Sequence, residues 1–174
     1  MVNLSTALKT AIEMEKKAHD LYIGASKKTM NKLGKETLEA IAAKELDHIA
    51  AINKFSEKMS GDKNYEEAVL EIKPKSKEDY ILPIVEKLTK ELDAKIKPDS
   101  DLEKAYAVAI GMEKESYDLY KRLAGESKDP DVKKFFEFLM GEENTHYELF
   151  RETLEYLNRP WDWFKEQERW IVEG

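Results

Sequence analysis

An internal repeat constrains this chain of 174 residues more than any other feature of its sequence. The segments AIEMEKKAHDLY, residues 11–22, and AIGMEKESYDLY, residues 109–120, match at eight of twelve positions. The same offset of 98 residues superimposes two Glu-x-x-His motifs, and each motif follows thirty residues after a glutamate of the first segment. One structural unit therefore occurs twice. The corresponding residues are Glu15 and Glu113, Tyr22 and Tyr120, Glu45 and Glu143, and His48 and His146.

Apolar residues recur at alternating steps of three and four in four long segments, which is the period of helices that pack in a bundle. We predict helix caps at Asn3 or Ser5, at Ser100 and at Asp129, and a first helix that runs to about Thr29. No segment has the alternating pattern of a β-strand. The fold class expected is all-α: two antiparallel helix hairpins that form a four-helix bundle.

The bundle accounts for residues 1–160 as one domain. A long crossover, residues 61–99, joins the two hairpins and contains a short helix predicted from Ser76 to Lys95. Residues 161–174 form a separate segment that is rich in tryptophan. We expect this segment to cover one end of the bundle or to contribute to a dimer contact, and the alternative is a surface that docks a partner protein.

Composition excludes several classes of function. A net charge of −7 argues against nucleic acid or an anionic membrane as the main partner. No apolar run is long enough for a transmembrane helix, and the first residues lack the apolar core of a signal peptide. We therefore expect a cytoplasmic protein with no membrane partner. The sequence contains no cysteine, which excludes disulfides, thiolate nucleophiles and iron–sulfur clusters.

We call the stripe of residues at these three- and four-residue steps the seam of a helix. Each of the four apolar seams is interrupted by acidic and imidazole side chains near its middle. A seam position lies in the core of a bundle, and burying unpaired carboxylates costs several kcal/mol or more. No lysine or arginine occupies the seams, so two divalent cations are the compensation that fits the charge of four carboxylates. Carboxylates with two imidazoles suit iron or manganese, with zinc as a competitor. The predicted ligands are Glu15, Glu45, His48, Glu113, Glu143 and His146.

Other interpretations of these polar residues remain open at this stage. The six ligands could form a polar structural network without metal. Tyr22 and Tyr120 lie on the ligand faces and could donate hydrogen bonds to ligand carboxylates, or they could be ordinary core tyrosines. His19 is interpreted as a residue at the flank of the bundle, and the less favoured interpretation is that it is an alternative metal ligand. We expect three further glutamates to point away from the seams into solvent: Glu13, Glu115 and Glu142.

These motifs and the repeat resemble those of rubrerythrins, a branch of the ferritin-like superfamily of di-iron carboxylate proteins. The resemblance extends to about Asn158 and implies a ferritin-like bundle. It also implies that Glu45 and Glu143 bridge two iron ions, that Glu15 and Glu113 are terminal ligands, and that each histidine holds one ion. Two departures are visible. Ser116 stands where rubrerythrins usually carry a further ligand glutamate, and the rubredoxin domain with its cysteine ligands is absent.

The resemblance implies an oxidoreductase that reduces hydrogen peroxide, or dioxygen, in protection against oxidative stress. Electrons would come from a separate donor such as a rubredoxin-like protein, and a homodimer is expected. The alternative is a ferritin-like protein that oxidises and stores iron. A manganese catalase-like activity and a purely structural bundle are further possibilities that the residues leave open.

Overall fold

The computed structural model describes residues 3–60 and 100–159, and nearly all of these residues are helical. Helix α1 spans Leu4–Ser26 and α2 spans Lys32–Ser60, whereas α3 spans Ser100–Glu126 and α4 spans Pro130–Asn158. The described residues contain no strand, so the prediction of an all-α, ferritin-like four-helix bundle is confirmed. The helix predicted in the crossover and the tryptophan-rich segment lie outside the described residues.

Local capping explains where the helices begin. Asn3 Oδ1 accepts hydrogen bonds from the backbone N–H groups of Ser5 at 3.0 Å and Thr6 at 3.4 Å. Asp129 Oδ1 does the same at the start of α4 for Asp131, at 2.9 Å, and Val132, at 3.3 Å. The predicted caps at Asn3 and Asp129 are thus confirmed.

In the turn between α1 and α2, the predicted end of the first helix is wrong. Helix α1 ends at Ser26 rather than near Thr29. Helix α2 already begins at Lys32, because Asn31 Oδ1 accepts a hydrogen bond from the Gly34 N–H at 2.8 Å and caps the new helix. Gly34 therefore lies in the first helical turn, where the absence of a side chain allows close packing against α3.

The two hairpins, α1–α2 and α3–α4, pack side by side, with α1 against α3 and α2 against α4. The Tyr106 hydroxyl donates a hydrogen bond to the Gly34 carbonyl at 3.2 Å, so α3 begins at the end of the bundle where α2 begins. Helix α2 consequently ends at the opposite end of the bundle from the start of α3. This is the arrangement that requires a long crossover between the hairpins.

Two apolar clusters fill the interior, one toward each end of the bundle. In the cluster around Tyr22, the Phe150 ring packs edge-on against Tyr22, with centroids 5.1 Å apart, and against Tyr106, at 5.2 Å. In the cluster around Tyr120, Phe55 and Phe135 stack at 4.0 Å. The predicted ligands lie between these two clusters along every helix, so the bundle surrounds the acidic centre with dry apolar layers.

The outer faces of the helices are mainly polar. Large apolar side chains that are at least half exposed occur at only three described positions: Met30, Leu46 and Val108. In the part of the chain that the structure describes, no helix combines the length and the apolar run that a membrane crossing requires.

Candidate metal centre

The bundle brings all six predicted ligand side chains together at its middle. Each helix contributes: α1 and α3 carry one glutamate each, and α2 and α4 carry a Glu-x-x-His motif each. Spacing of three residues places the two side chains of each motif on the same face of a helix. All six residues are 3% exposed or less, namely Glu15, Glu45, His48, Glu113, Glu143 and His146.

His48 is the focus of one half of the centre. Its Nδ1 atom lies 3.1 Å from Glu143 Oε1, 3.2 Å from Glu45 Oε2 and 3.6 Å from Glu15 Oε2. Three carboxylates, from α1, α2 and α4, therefore approach the same ring nitrogen. We call the group formed by Glu15, His48 and the oxygens facing them the Glu15–His48 position.

The other half of the centre is built around His146. Its Nδ1 atom lies 3.3 Å from Glu45 Oε1 and 3.6 Å from Glu113 Oε2. We call this the Glu113–His146 position. The two imidazole rings stack with their centroids 5.2 Å apart and an interplanar angle of 16°. Glu45 therefore directs one oxygen toward each histidine, which is the geometry of a carboxylate that can bridge two ions.

Potential ligand atoms from four of these residues lie close enough together to hold a metal ion. One atom each of Glu45, His48, Glu143 and His146 all lie within 4.8 Å of one another. The terminal carboxylates of Glu15 and Glu113 flank this group through their contacts with the histidines. The cluster of glutamates and histidines can thus bind a pair of metal ions.

The two tyrosines hydrogen-bond to the terminal carboxylates, and each bond crosses from one hairpin to the other. The Tyr22 hydroxyl of α1 donates to Glu113 Oε1 of α3 at 2.6 Å. The Tyr120 hydroxyl of α3 donates to Glu15 Oε1 of α1. Burial raises the pKa of both phenols, and the nearby carboxylate charges raise it further. Both hydroxyls therefore stay protonated and act as donors at neutral pH.

Concentrated negative charge perturbs the carboxyl groups. Burial raises the pKa of Glu45 to about 7, and the charge of Glu113 adds to this effect. Burial, with repulsion from Glu15 and other carboxylates, raises the pKa of Glu143 well above its ordinary value. Burial also acts to raise the pKa of Glu15, but its polar neighbours, His48 first among them, outweigh burial and lower that pKa to about 2.

Burial acts on the histidines in the opposite sense to the acids, but the net effect on each histidine is a raised pKa. Burial alone would lower the pKa of His48, but the surrounding carboxylates, first Glu142 and then Glu143, raise it well above the ordinary value. Burial likewise acts to lower the pKa of His146, and the charge of Glu45 is the main cause of its net increase. Without metal, the centre therefore holds protons in place of cations.

Carboxylate oxygens with unused lone pairs show that these residues fit a metal site better than a closed hydrogen-bond network. Native proteins satisfy nearly all buried polar atoms with hydrogen bonds. Here several buried carboxylate oxygens that face the centre make no hydrogen bond of regular geometry with the described residues: Glu15 Oε2, Glu45 Oε1 and Oε2, Glu113 Oε2 and Glu143 Oε1. Lone pairs that converge on one region without regular hydrogen bonds are the arrangement that a bound cation satisfies.

Glu142 was expected to point into solvent, and that prediction is wrong. The residue is 5% exposed, and its Oε2 atom lies 3.9 Å from His48 Nε2, on the far side of the ring from the other carboxylates. The reason is that α4 buries a second stripe beside its seam, at seven-residue intervals, formed by Phe135, Glu142 and Leu149. The apolar residues that flank Glu142 at this spacing were the signal that could have identified it.

The predictions that Glu13 and Glu115 face solvent and that His19 lies at the flank of the bundle are confirmed. Glu13 and Glu115 are exposed. His19 lies outside the centre, where its Nδ1 atom is 3.1 Å from Oδ1 of the exposed Asp20. Ser116 is 2% exposed, so the position at which rubrerythrins usually carry another ligand glutamate is buried but offers only a hydroxyl group.

Comparison with known proteins agrees with this geometry. The family model described as Rubrerythrin matches residues 6–154, which include both copies of the ligand motif. The chain belongs to the rubrerythrin family. No curated protein and no solved structure matches it. Membership of the rubrerythrin family, together with the buried glutamate and histidine cluster, identifies a protein of the di-iron type.

Proposed function

We propose that this rubrerythrin-family protein is a di-iron oxidoreductase that reduces hydrogen peroxide, or dioxygen, with electrons from a separate donor. The observation that carries the proposal is the convergence of four carboxylates and two imidazoles in a dry bundle centre, with described carboxylate oxygens that make no regular hydrogen bond. Glu15, His48, Glu113 and His146 would hold the ions in pairs, and Glu45 and Glu143 would lie between them.

Charge favours two divalent ions at this centre. Four ionised carboxylates carry four negative charges, and two divalent ions neutralise them. Two ferrous ions, when bound, supply two electrons, one from each ion, which together with two protons convert one molecule of hydrogen peroxide into two of water. Close positions for the ions allow both oxygens of a substrate to be held at once.

The residues around the centre prepare it for this chemistry. The Tyr22 and Tyr120 hydroxyls fix the orientation of the terminal carboxylates, because each donates to one oxygen and leaves the other directed inward. The apolar clusters on both sides keep bulk water out of the centre, which strengthens its electrostatic interactions. The 174 residues contain no cysteine, so they hold no rubredoxin-type iron site of their own, and electrons would reach the centre from a donor outside them.

Stopped-flow absorbance tests the proposal. Metal-free protein is loaded with two equivalents of Fe(II) under nitrogen and mixed with hydrogen peroxide. We expect oxidation of two irons per peroxide, faster than that of the same Fe(II) in buffer. The Glu143→Ala variant, loaded identically, serves as the control that lacks one of the predicted bridging carboxylates.

Other outcomes would contradict the proposal in distinguishable ways. Oxidation at the rate of free Fe(II) would exclude a catalytic role. Uptake of iron far beyond two per chain, with a large assembly in size-exclusion chromatography, would instead indicate iron storage. Evolution of oxygen from peroxide without a reductant would indicate a catalase-like reaction.

A further inference from the structure

Glu142 places a fifth carboxylate beside the centre, on one side only. Its side chain is 7% exposed, and its Oε2 atom lies 3.9 Å from His48 Nε2. The Nδ1 atom of the same ring faces the other carboxylates, including Glu143 Oε1 at 3.1 Å. Acidic groups therefore stand on both sides of the His48 imidazole: the predicted ligands at Nδ1 and Glu142 at Nε2.

The equivalent place in the other half of the molecule carries the opposite charge. The offset of 98 residues that superimposes Glu45 on Glu143 also superimposes Lys44 on Glu142. Lys44 is partly buried, with 22% of its side chain exposed, and its Nζ atom lies 2.7 Å from Asp47 Oδ2. The repeat thus preserves every predicted ligand but reverses the charge at this neighbouring position.

We propose that Glu142 is a positioning residue for His48, and that the Glu142/Lys44 charge reversal makes the Glu15–His48 position bind its metal ion more tightly than the Glu113–His146 position. This inference rests on the proposed metal centre. It adds that metal ions occupy the two positions one after the other, the Glu15–His48 position first.

The orientation of the imidazole supports this assignment. A histidine that binds metal through one nitrogen typically directs its other N–H toward a carboxylate or carbonyl group, which fixes the tautomer and increases the basicity of the ligand. Glu142 Oε2 lies on the Nε2 side of His48, so a proton on Nε2 faces an acceptor and the Nδ1 lone pair faces the centre. The distance of 3.9 Å between His48 Nε2 and Glu142 Oε2 is too long for a hydrogen bond. A small rotation of the ring or of the Glu142 side chain, as an ion draws Nδ1 inward, would shorten it to one.

Charge acts in the same direction as orientation. A carboxylate near a buried cation is attractive, whereas an ammonium group on the other hairpin, at the corresponding place in the repeat, acts with the opposite sign on the second cation. Low exposure of Glu142 limits screening by solvent, whereas the pairing of Lys44 with Asp47 reduces but does not abolish its effect. Both differences therefore favour the ion held by His48.

Titration of the metal-free full-length chain with Co(II) tests the inference, because Co(II) bound by carboxylates and imidazoles absorbs in the visible range. Calorimetry and visible absorbance should both show two steps, one per position. We expect Glu142→Gln to weaken the tighter step about 10- to 100-fold, the usual effect of removing a partner of a metal-binding histidine. Glu115→Gln, which removes the same charge from an exposed site on α3, should leave both steps unchanged.

Single-position variants assign the steps. In a His146→Ala background only the Glu15–His48 position remains complete, and Glu142→Gln should still weaken Co(II) binding and change its absorption spectrum. In a His48→Ala background the same substitution should change the affinity by less than about twofold. Lys44→Gln in the otherwise unaltered chain provides an independent measurement, and we expect it to strengthen the weaker step.

Three results would overturn the inference: a Glu142→Gln effect of equal size in both histidine backgrounds, two steps that are unchanged by Glu142→Gln, or a lower unfolding temperature of that variant with unchanged Co(II) affinity. Circular dichroism of each variant establishes that it is folded before titration. Failure of the unaltered protein to bind any Co(II), Fe(II) or Mn(II) is a different result, because it would refute the metal centre itself.

Discussion

The Tyr22 hydroxyl of α1 donates a hydrogen bond to Glu113 Oε1 of α3 at 2.6 Å, and this bond joins the two halves of the repeat. Tyr120 makes the reciprocal bond to Glu15. Each tyrosine therefore supports the terminal carboxylate of the other hairpin rather than of its own. The two positions of the centre depend on each other structurally even before a bridging carboxylate is considered.

Replacing Tyr22 with phenylalanine should destabilise the protein by about 1–3 kcal/mol, because it removes a hydrogen bond from a buried carboxylate oxygen and leaves that oxygen unsatisfied. Urea denaturation of the metal-free protein measures this difference. Tyr147→Phe is the matched control, since Tyr147 is only partly buried and packs its ring against Arg151. Equal stability of Tyr22→Phe and the unaltered protein would show that the bond contributes nothing to folding.

Replacing Glu45 with glutamine should stabilise the metal-free protein at pH 8 while it weakens metal binding. Burial and repulsion raise the pKa of Glu45 to about 7, so at pH 8 its ionised form is held in an unfavourable environment. Glutamine removes that charge, and we expect a gain on the order of 2 kcal/mol. Denaturation with and without Co(II) measures both effects. A variant that is less stable than the unaltered apoprotein at pH 8 would show that the ionised Glu45 carboxylate does not destabilise the metal-free fold.

The stability of the metal-free protein should fall as the pH rises above about 5. The pKa of Glu45 is about 7 in the folded chain and 4.5 in the unfolded chain, so the folded state binds more protons between these values and loses stability as pH increases. The pKa of Glu143 is also raised in the folded chain, so its ionisation likewise lowers stability as the pH increases. His48 and His146 have a raised pKa when folded, so their contribution is complete below about 6.5 and is lost above it.

Glu15 acts in the opposite sense, because its pKa is lowered to about 2, and its contribution is lost only as the pH falls below about 4.5. Urea denaturation between pH 4 and pH 8 should therefore show a maximum near pH 5 for the metal-free protein. Metal replaces the bound protons, so binding should release protons and stabilise the protein more at pH 8 than at pH 5.5. Stability of the apoprotein that increases steadily from pH 5 to pH 8 would contradict the proton-filled centre.

Replacing Gly34 with alanine should destabilise the bundle by about 1–3 kcal/mol, the usual effect of overpacking a core. A Cβ atom at this position would lie 2.5 Å from one methyl group of Leu102, and Leu102 is fully buried, so its side chain would have to shift within the core. Gly111→Ala is the control: there a methyl group meets nothing within 4 Å among the described residues, and the higher helix propensity of alanine should add a few tenths of a kcal/mol or more. Thermal unfolding of both variants measures the contrast.

Much of the bundle could be predicted from sequence because its helices are long and their apolar period is unambiguous. In α3, the residues at alternating steps of four and three from Leu102 to Leu123 are all buried, and the cap at Asp129 is where the sequence placed it. The six ligand positions follow from the same period, since each lies on a seam. Their convergence at one level of the bundle follows from the equal lengths of the two hairpins.

Glu142 shows why the rest could not be predicted. A seam describes the contact of one helix with the centre of the bundle, whereas a helix with two neighbours buries a wider surface. Helix α4 packs against both α3 and α2, so Glu142 is buried toward His48 of α2 although it lies outside the seam. The hydrogen bond from Tyr22 to Glu113 could not be predicted either, because spacing along a helix does not show which neighbouring helix a side chain contacts.

The repeat has a consequence for how such a centre could vary during evolution. Each hairpin carries half of the donor set, so two identical hairpins related by a twofold axis would present the same six groups. In such a homodimer every position would be duplicated, and a glutamate beside one histidine would necessarily stand beside the other. Covalent fusion of the hairpins into one chain removes this restriction. Lys44 and Glu142 occupy corresponding places with opposite charges, a difference that two identical hairpins could not carry.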